Sequence, residues 1–271
     1  MKYLFTTWKK LEKVLGKKDI FIFLDYDGTL APITDKPEKA FISKETKKIL
    51  ANLARIPNCK IAIISGRAIK DIKKKVGIKN IVYAGNHGLE IEGPQAKFKK
   101  QIDQKSLAIL RSIKTELAKK LSGIKGAFVE DKDLTLSFHY RLVDKKYIPE
   151  FKNVFHETII PHLASDTIRI KPGKKVFEVR PSINWDKGKV VLWLLARERL
   201  ANRNKKILPL YVGDDITDED AFCAIRNKGL TVFVGLPKES CAEYYLKSTQ
   251  EVTKLLEKIL EHHNKSKQCM N

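Results

Sequence analysis

The chain has 271 residues, 43% of them hydrophobic, with 53 Lys and Arg against 32 Asp and Glu, a formal net charge of +21. That hydrophobic share excludes a disordered chain, and the length suits one large domain or a core carrying an inserted one. No stretch approaches the roughly 18 consecutive apolar residues of a membrane span, because the longest, Val190–Ala196, stops at Arg197.

The large positive charge raises nucleic acid or a membrane surface as a partner. The lysines are spread along the whole chain in short runs such as Lys73–Lys75, and no nucleic-acid-binding motif is present. The expectation is therefore no nucleic-acid and no membrane partner, and a basic surface whose field favours anionic substrates. Four cysteines, at 59, 223, 241 and 269, show no CxxC spacing and no partnering histidines. Neither a disulfide nor a zinc site is expected, and a reducing, cytoplasmic compartment follows. The N-terminus carries lysines but no apolar core of a secretory signal.

In chain order, Thr7–Leu15 has the spacing of a short amphipathic helix with Gly16 as its stop. Ile20–Leu24 is an apolar run opening into Asp25-Tyr26-Asp27-Gly28-Thr29, the pattern of a buried parallel strand. Ligands in open α/β sheets bind beyond the carboxyl ends of such strands, so Asp25 and Asp27 stand at a candidate active edge. Two carboxylates that close repel unless a cation lies between them or one is protonated. The alternative is a strand followed by an ordinary turn at Asp27-Gly28. A helix over Ser43–Arg55 leads to a strand over Lys60–Ile64 that ends in Ser65-Gly66-Arg67. A hydroxyl and backbone N–H groups ahead of the next helix, Ala68–Val76, make an anion cradle, or Ser65 is a plain helix cap. A third strand, Ile81–Ala84, delivers Asn86-His87-Gly88 to the same edge, with His87 either a polar contact or a packing residue.

The pattern then changes. A long helix over 103–122, closed by Gly123, precedes strands Lys125–Glu130 and Leu134–His139 joined by Asp131-Lys132-Asp133. A helix over Asp144–His162 precedes strands Thr167–Lys171 and Lys175–Val179, with Pro172-Gly173-Lys174 at the turn. This αββαββ block, residues 103–181, is antiparallel in character and reads as an insertion in a doubly wound, mostly parallel α/β domain formed by 1–102 and 182–271. The parallel pattern resumes with a helix over 187–202 opening on Lys187-Gly188, a strand over 207–212, and Asp214, Asp215, Asp218, Glu219 and Asp220. A helix start favours the last three acids through its dipole. Asp214 and Asp215 precede it at a strand end, and two strand ends releasing carboxylates at one edge suit a hard cation such as Mg²⁺. A strand over Leu230–Val234 and a helix over Thr249–His262 close the pattern, with NKSKQCMN as a disordered tail.

The order Asp25-Tyr26-Asp27-Gly28-Thr29, Ser65, Lys187, then Gly213-Asp214-Asp215 with Asp218 resembles the four motifs of the haloacid dehalogenase superfamily of phosphohydrolases. The stretches DYDGTLAPI, ISGR, YAGNHGLEI, VEDKDLTLSFHYR, FEVRP, WDKG and GDDITDEDAF are similar, more narrowly, to the trehalose-6-phosphate phosphatases. The resemblance implies Asp25 as the nucleophile and Asp27 as general acid and base. It implies Ser65 and Lys187 on the transferring phosphoryl group, and Mg²⁺ held by Asp25, the Asp27 carbonyl and Asp214 with Asp218 in support. The inserted block takes the place of the superfamily's larger cap. By the same resemblance Glu130, Lys132, Arg141, Lys174 and Glu178 are sugar-binding candidates, with Gly66, Arg67, Asn86, His87 and Asp215 on the core side. On the cap strands, Glu130 and Arg141 read equally as a cross-strand ion pair. The implied substrate is a sugar phosphate, trehalose 6-phosphate first, with sucrose phosphate, mannosylphosphoglycerate or a non-catalytic sensor as alternatives. A trehalose-phosphate synthase is the implied partner in the pathway.

Overall fold

The computed structural model describes residues 1–15, 18–163, 166–202 and 206–268. The helix stop expected at Gly16, and Cys269 with the end of the tail, lie outside them. The chain divides into two compact units, 1–98 with 185–271, and 99–184, against the 103–181 insertion expected from the pattern.

The first unit is built on a nine-stranded sheet. Its central strand, β2 (Asp19–Leu24), lies after a two-residue β1 (Lys2–Tyr3) and helix α1 (Trp8–Leu15). Beyond β2 come α2 (Lys44–Leu53), β3 (Cys59–Ile64), α3 (Ile69–Val76), β4 (Val82–Gly85), β5 (Glu90–Gly93) and β6 (Ala96–Lys99). After the second unit the chain returns as α6 (Lys187–Ala201), β11 (Ile207–Gly213), α7 (Glu219–Ile225), β12 (Leu230–Val234), β13 (Tyr244–Leu246) and α8 (Thr249–Gln268). The order across the sheet is β1-β13-β12-β11-β2-β3-β4-β5-β6.

β2 pairs in parallel with β11 on one side and β3 on the other, and successive strands run outward in opposite directions from that point. Such a reversal leaves a crevice at the carboxyl ends. Both faces of β2 are covered, which is why its sequence is continuously apolar. Ile20, Ile22 and Leu24 join the core on one face, with α1, α2, α3 and α8 residues. Phe21 and Phe23 join the other, with Val190, Val191 and Leu194 of α6 and Phe222 of α7.

Four strands differ from expectation by being present: β1, β5, β6 and β13. They are two to four residues long, and β5 and β6 carry charges in place of an apolar run, so the pattern that reveals a buried strand is missing. The tail is also corrected, since α8 continues through Gln268.

The cysteine reading is overturned at one pair. Cys223 on α7 and Cys241, between β12 and β13, form a disulfide with Cα atoms 5.3 Å apart. The two lie 18 residues apart in sequence, and only the packing of α7 beside the β12–β13 connection brings them together. The Glu219 carboxylate ties the same two segments by accepting from Ser240 Oγ at 2.7 Å and the Cys241 amide at 2.9 Å. The bond removes the premise from which a reducing compartment was expected. No helix among the described residues is long and apolar enough to cross a membrane.

The second unit contains α4 (Gln104–Lys120), β7 (Phe128–Asp131), β8 (Leu136–His139), α5 (Ile148–Leu163), β9 (Ile168–Gly173) and β10 (Val176–Pro181). Its antiparallel sheet has the order β7-β8-β10-β9 and buries Phe138, Phe151, Phe155 and Val179 against its two helices. In the second hairpin Pro172 pairs with Phe177 and Gly173 with Val176, so the turn is Lys174-Lys175, one residue later than expected. β9 is an edge strand, where a proline's missing N–H costs no ladder bond. In the first hairpin Asp131 pairs with Leu136, and the four-residue loop folds Lys132 and Thr135 into buried positions.

Candidate active site

In the first unit the site starts where β2 ends. The ladder runs one step past the strand, with the Asp25 amide donating to Val212 O at 2.9 Å, so the Asp25 side chain emerges at the crevice. Its Oδ1 accepts from Lys187 Nζ at 2.7 Å. Lys187 opens α6, which Asp186 caps by accepting from the Lys189 amide. A Cβ at Gly188 would lie 2.3 Å from Asp220 O, so glycine is what lets α6 lie directly on α7.

Lys187 also donates to Asp218 Oδ1 at 2.7 Å, and Asp218 is completely buried. That oxygen accepts from Tyr211 OH as well, at 2.7 Å, while Oδ2 accepts from the Asp214 and Asp215 amides. All four acceptor positions of this carboxylate are thereby used. Asp218 orders the loop that carries Asp214, and Asp215 caps the following turn. Two glycines make room. A Cβ on Gly213 would meet Asp218 Cγ at 2.3 Å, and one on Gly28 would meet Asp214 Oδ2 at 2.0 Å. The glycines of the two acidic motifs are thus needed for one close approach, and Gly28 also takes φ +89°.

Asp25, Asp214 and Asp218 each offer a carboxylate oxygen within 4.8 Å of the others, and all three are buried. The Lys187 ammonium faces Asp25 and Asp218. Burial raises the Asp25 carboxyl well above its ordinary value against the pull of Lys187, and Asp218 and Asp214 push it further. Burial alone would lower Lys187, but Asp218 and Asp25 hold it charged, above its ordinary value. Burial and the same carboxylates keep the Tyr211 phenol protonated. Three buried carboxylates, all oxygen donors, fit a hard divalent cation. With Asp218 saturated by its hydrogen bonds, Asp25 and Asp214 are the side chains offered to it.

Ser65 ends β3, buried, and its Oγ accepts from the Arg67 amide at 3.2 Å. The loop after β4 is zipped to it, with the His87 amide donating to Ser65 O and the Asn86 amide to Arg67 O. Asn86, His87 and Gly88 adopt φ of +49°, +55° and +92°, a run of left-handed residues that only a tightly held loop sustains. The His87 ring lies against Gly66, where a Cβ would come within 2.5 Å of Nε2. Asn86 Nδ2 donates to Glu90 at 3.2 Å. Arg67 does not extend to solvent as a substrate ligand would. It turns inward and forks onto Asp27, with Nε to Oδ2 and Nη2 to Oδ1 both at 2.7 Å.

The sugar-binding candidates of the second unit fall in two groups. Lys132 and Glu178 are buried together, with Nζ 3.4 Å from Oε1. Thr135 Oγ1 donates to the same oxygen, and Arg180 donates to Oε2 from Nε at 2.9 Å and also from Nη2. Glu130, Arg141 and Lys174 lie nearer the surface. Glu130 pairs with His139 at 2.8 Å, and Arg141 donates to Lys174 O at 2.6 Å.

Sequence reasoning passed over Tyr211, Arg180 and Asp71. Tyr211 is the one polar tip in an apolar strand. Arg180 shares a strand face with Glu178, and Asp71 sits one helical turn from Arg67.

The family profile described as trehalose-phosphatase matches residues 23–255. Trehalose-phosphate phosphatase B of Arabidopsis thaliana is 36% identical over 261 residues, covering 92% of this chain and 68% of that protein. Among solved structures, the C-terminal domain of the trehalose-6-phosphate phosphatase of C. albicans superposes with a TM-score of 0.78 at 24% identity, covering 93% of this chain and 97% of that one. A haloacid dehalogenase-like hydrolase from Bacteroides thetaiotaomicron superposes with a TM-score of 0.61 at 16% identity, covering 89% of this chain and 100% of that one.

Proposed function

Since this chain belongs to the trehalose-phosphatase family, we propose that it hydrolyses trehalose 6-phosphate to trehalose and phosphate. The observation that carries the chemistry is the buried constellation of Asp25, Lys187, Asp214 and Asp218 at the carboxyl end of the central strand.

In this reading Asp25 attacks phosphorus and the bond to the sugar oxygen breaks, leaving an aspartyl phosphate. Asp27 gives its proton to the departing alkoxide, then takes one from the water that hydrolyses the intermediate. Lys187 and the Ser65 hydroxyl stabilise charge on the transferring phosphoryl oxygens. The residues fit a divalent cation, Mg²⁺ in this reading, held by Asp25, Asp214 and the Asp27 carbonyl. When bound it neutralises the carboxylates and the phosphate together. Asp218 acts as scaffold in this scheme.

The unit 99–184 serves as cap and supplies the sugar-reading groups Glu130, Lys132, Arg141, Lys174 and Glu178, because charge-assisted hydrogen bonds select hydroxyl patterns strongly. Asn86 and His87 support the core side. Substrate supply by a trehalose-phosphate synthase completes the reading.

The test is phosphate release from trehalose 6-phosphate, sucrose 6-phosphate and glucose 6-phosphate, each with Mg²⁺ and with EDTA. Preferred, metal-dependent turnover of the trehalose ester is expected. Equal rates on all three esters would remove the substrate assignment, and full activity in EDTA would remove the cation.

A further inference from the structure

Asp27 is not held by the constellation around Asp25. Arg67 holds it, through two parallel bonds of 2.7 Å that fix a carboxylate in plane as well as in position. The guanidinium is itself anchored. Nη1 donates to Asp71 Oδ2 at 2.8 Å, one turn along α3, and Nη2 donates also to Pro37 O at 2.8 Å. Its plane lies over the Tyr26 ring, with Cζ 5.2 Å from the centroid. The Arg67 side chain is 6% exposed, whereas those of Asp27 and Asp71 are each 40% exposed.

Four of the five guanidinium N–H groups are accounted for by Asp27, Asp71 and Pro37. Little of Arg67 remains for a phosphate. Each Asp27 oxygen, by contrast, keeps a second acceptor position on the open side of the fork. The fork orients Asp27 and leaves it reachable.

We propose that Asp71 is a positioning residue for the reaction, acting through Arg67 to hold the Asp27 carboxylate in its working orientation. Asp71 touches neither substrate nor cation in this arrangement. Without it, the buried guanidinium loses its anchor on α3, and Asp27 gains rotamers in which it points away from the departing oxygen. The inference rests on the reading of Asp27 as acid and base.

The experiment measures kcat and KM of Asp71→Asn, Arg67→Lys, Asp27→Asn and the Asp27→Asn/Asp71→Asn double variant. The substrates are an unactivated sugar phosphate that the wild type hydrolyses and 4-nitrophenyl phosphate, whose leaving group departs without a proton. Asp71→Asn is expected to lower kcat on the sugar phosphate by roughly 10- to 10²-fold, the usual cost of small misplacement. KM should stay within about twofold, and in single-turnover kinetics the loss in phosphoryl transfer should be smaller for the nitrophenyl ester, whose leaving group needs no proton, while hydrolysis of the aspartyl phosphate slows alike for both. Arg67→Lys, with charge but no fork, should behave alike. In the Asp27→Asn background Asp71→Asn should cost nothing more.

A raised KM with unchanged kcat would make Arg67 a phosphate ligand and overturn the proposal. Equal loss on both esters in the phosphoryl-transfer step, or losses that multiply with Asp27→Asn, would make Asp71 a structural residue and overturn it too. Wild-type inactivity on trehalose 6-phosphate alone would overturn the substrate reading and leave this measurement intact on another sugar phosphate.

Discussion

The two polar clusters of this chain are built to opposite balances. At the end of β2 and β11, three buried carboxylates lie together and two of them, Asp25 and Asp218, pair with the Lys187 ammonium. In the sheet of the unit 99–184, one buried carboxylate, Glu178, is shared by Lys132 and Arg180. The first gathers three carboxylates, and its oxygen donors suit a divalent cation. The second sets two cationic side chains on one carboxylate, whose oxygens accept from Lys132, Thr135 and Arg180. Burial of charge is costly unless it is compensated, and the two clusters compensate it in different ways. Their scaffolds differ as well. The core cluster is set by backbone amides and a tyrosine on Asp218 and by glycines against Asp214 and Asp218, whereas the other cluster relies on side chains of the β7–β8 loop and of β10.

The largest effect that bears on this contrast comes from Asp25→Asn. Removing the nucleophile should lower turnover by on the order of 10⁴–10⁶-fold, as for catalytic nucleophiles elsewhere. The same change should raise thermal stability in EDTA at neutral pH. The Asp25 carboxyl is raised in the folded protein, so its contribution is fully present below its ordinary pKa and is lost as pH climbs through the raised value. Differential scanning calorimetry of both proteins at pH 5 and pH 8 reads it. A melting temperature that falls on substitution would mean that the core cluster is balanced without a cation.

Asp27→Asn should cost about 10²–10⁴-fold in turnover, the usual share of general acid–base catalysis. Its melting temperature should fall, since the neutral amide leaves the buried Arg67 guanidinium with Asp71 as its remaining carboxylate partner. Single-turnover kinetics should show both phosphoryl transfer and its hydrolysis slowed.

Affinity for Mg²⁺ should rise with pH, because a proton competes for the raised Asp25 carboxyl. Titration calorimetry between pH 6 and pH 8 should show tightening by up to about tenfold per pH unit while one proton is displaced. Invariant affinity would assign the cation elsewhere.

Glu178→Gln probes the other cluster. Loss of one or two charge-assisted hydrogen bonds, about 1.5–3 kcal/mol each, should weaken hydrolysis of trehalose 6-phosphate and leave 4-nitrophenyl phosphate nearly untouched. Equal damage to both would make the cluster structural. The smallest effect on turnover belongs to reduction of Cys223–Cys241, which closes a loop of 18 residues. Opening it should cost roughly 3 kcal/mol of stability, and thiol titration with and without a reductant should find the two sulfurs only after reduction.

Much of the architecture was legible because buried parallel strands and amphipathic helices leave periodic signatures. β2, β3, β11 and β12 are largely continuous apolar runs, and α2, α3 and α8 carry apolar stripes. The short edge strands were not legible, since an element of two to four partly exposed residues has no period to show. Asp25, Ser65, Asn86 and Asp214 could be placed at one sheet edge from their position just past strand ends alone. Lys187 could be placed only by motif order, because a lysine opening a helix is otherwise one of many.

Sequence by itself determined the alternation of elements, the insertion of an αββαββ block and the residues that reach the crevice, because these depend on local periodicity and chain direction. Tertiary structure alone decided who holds whom. Asp218 became a scaffold for Asp214 through backbone amides. Arg67 turned inward onto Asp27 and Asp71, and Cys223 met Cys241. Each of these depends on approach across residues separated in sequence, and no local pattern records where two loops converge. The physical reason is the same throughout: propensity and patterning act over one or two turns of chain, whereas compensation of buried charge is settled only when the packed elements bring donors and acceptors within about 3 Å.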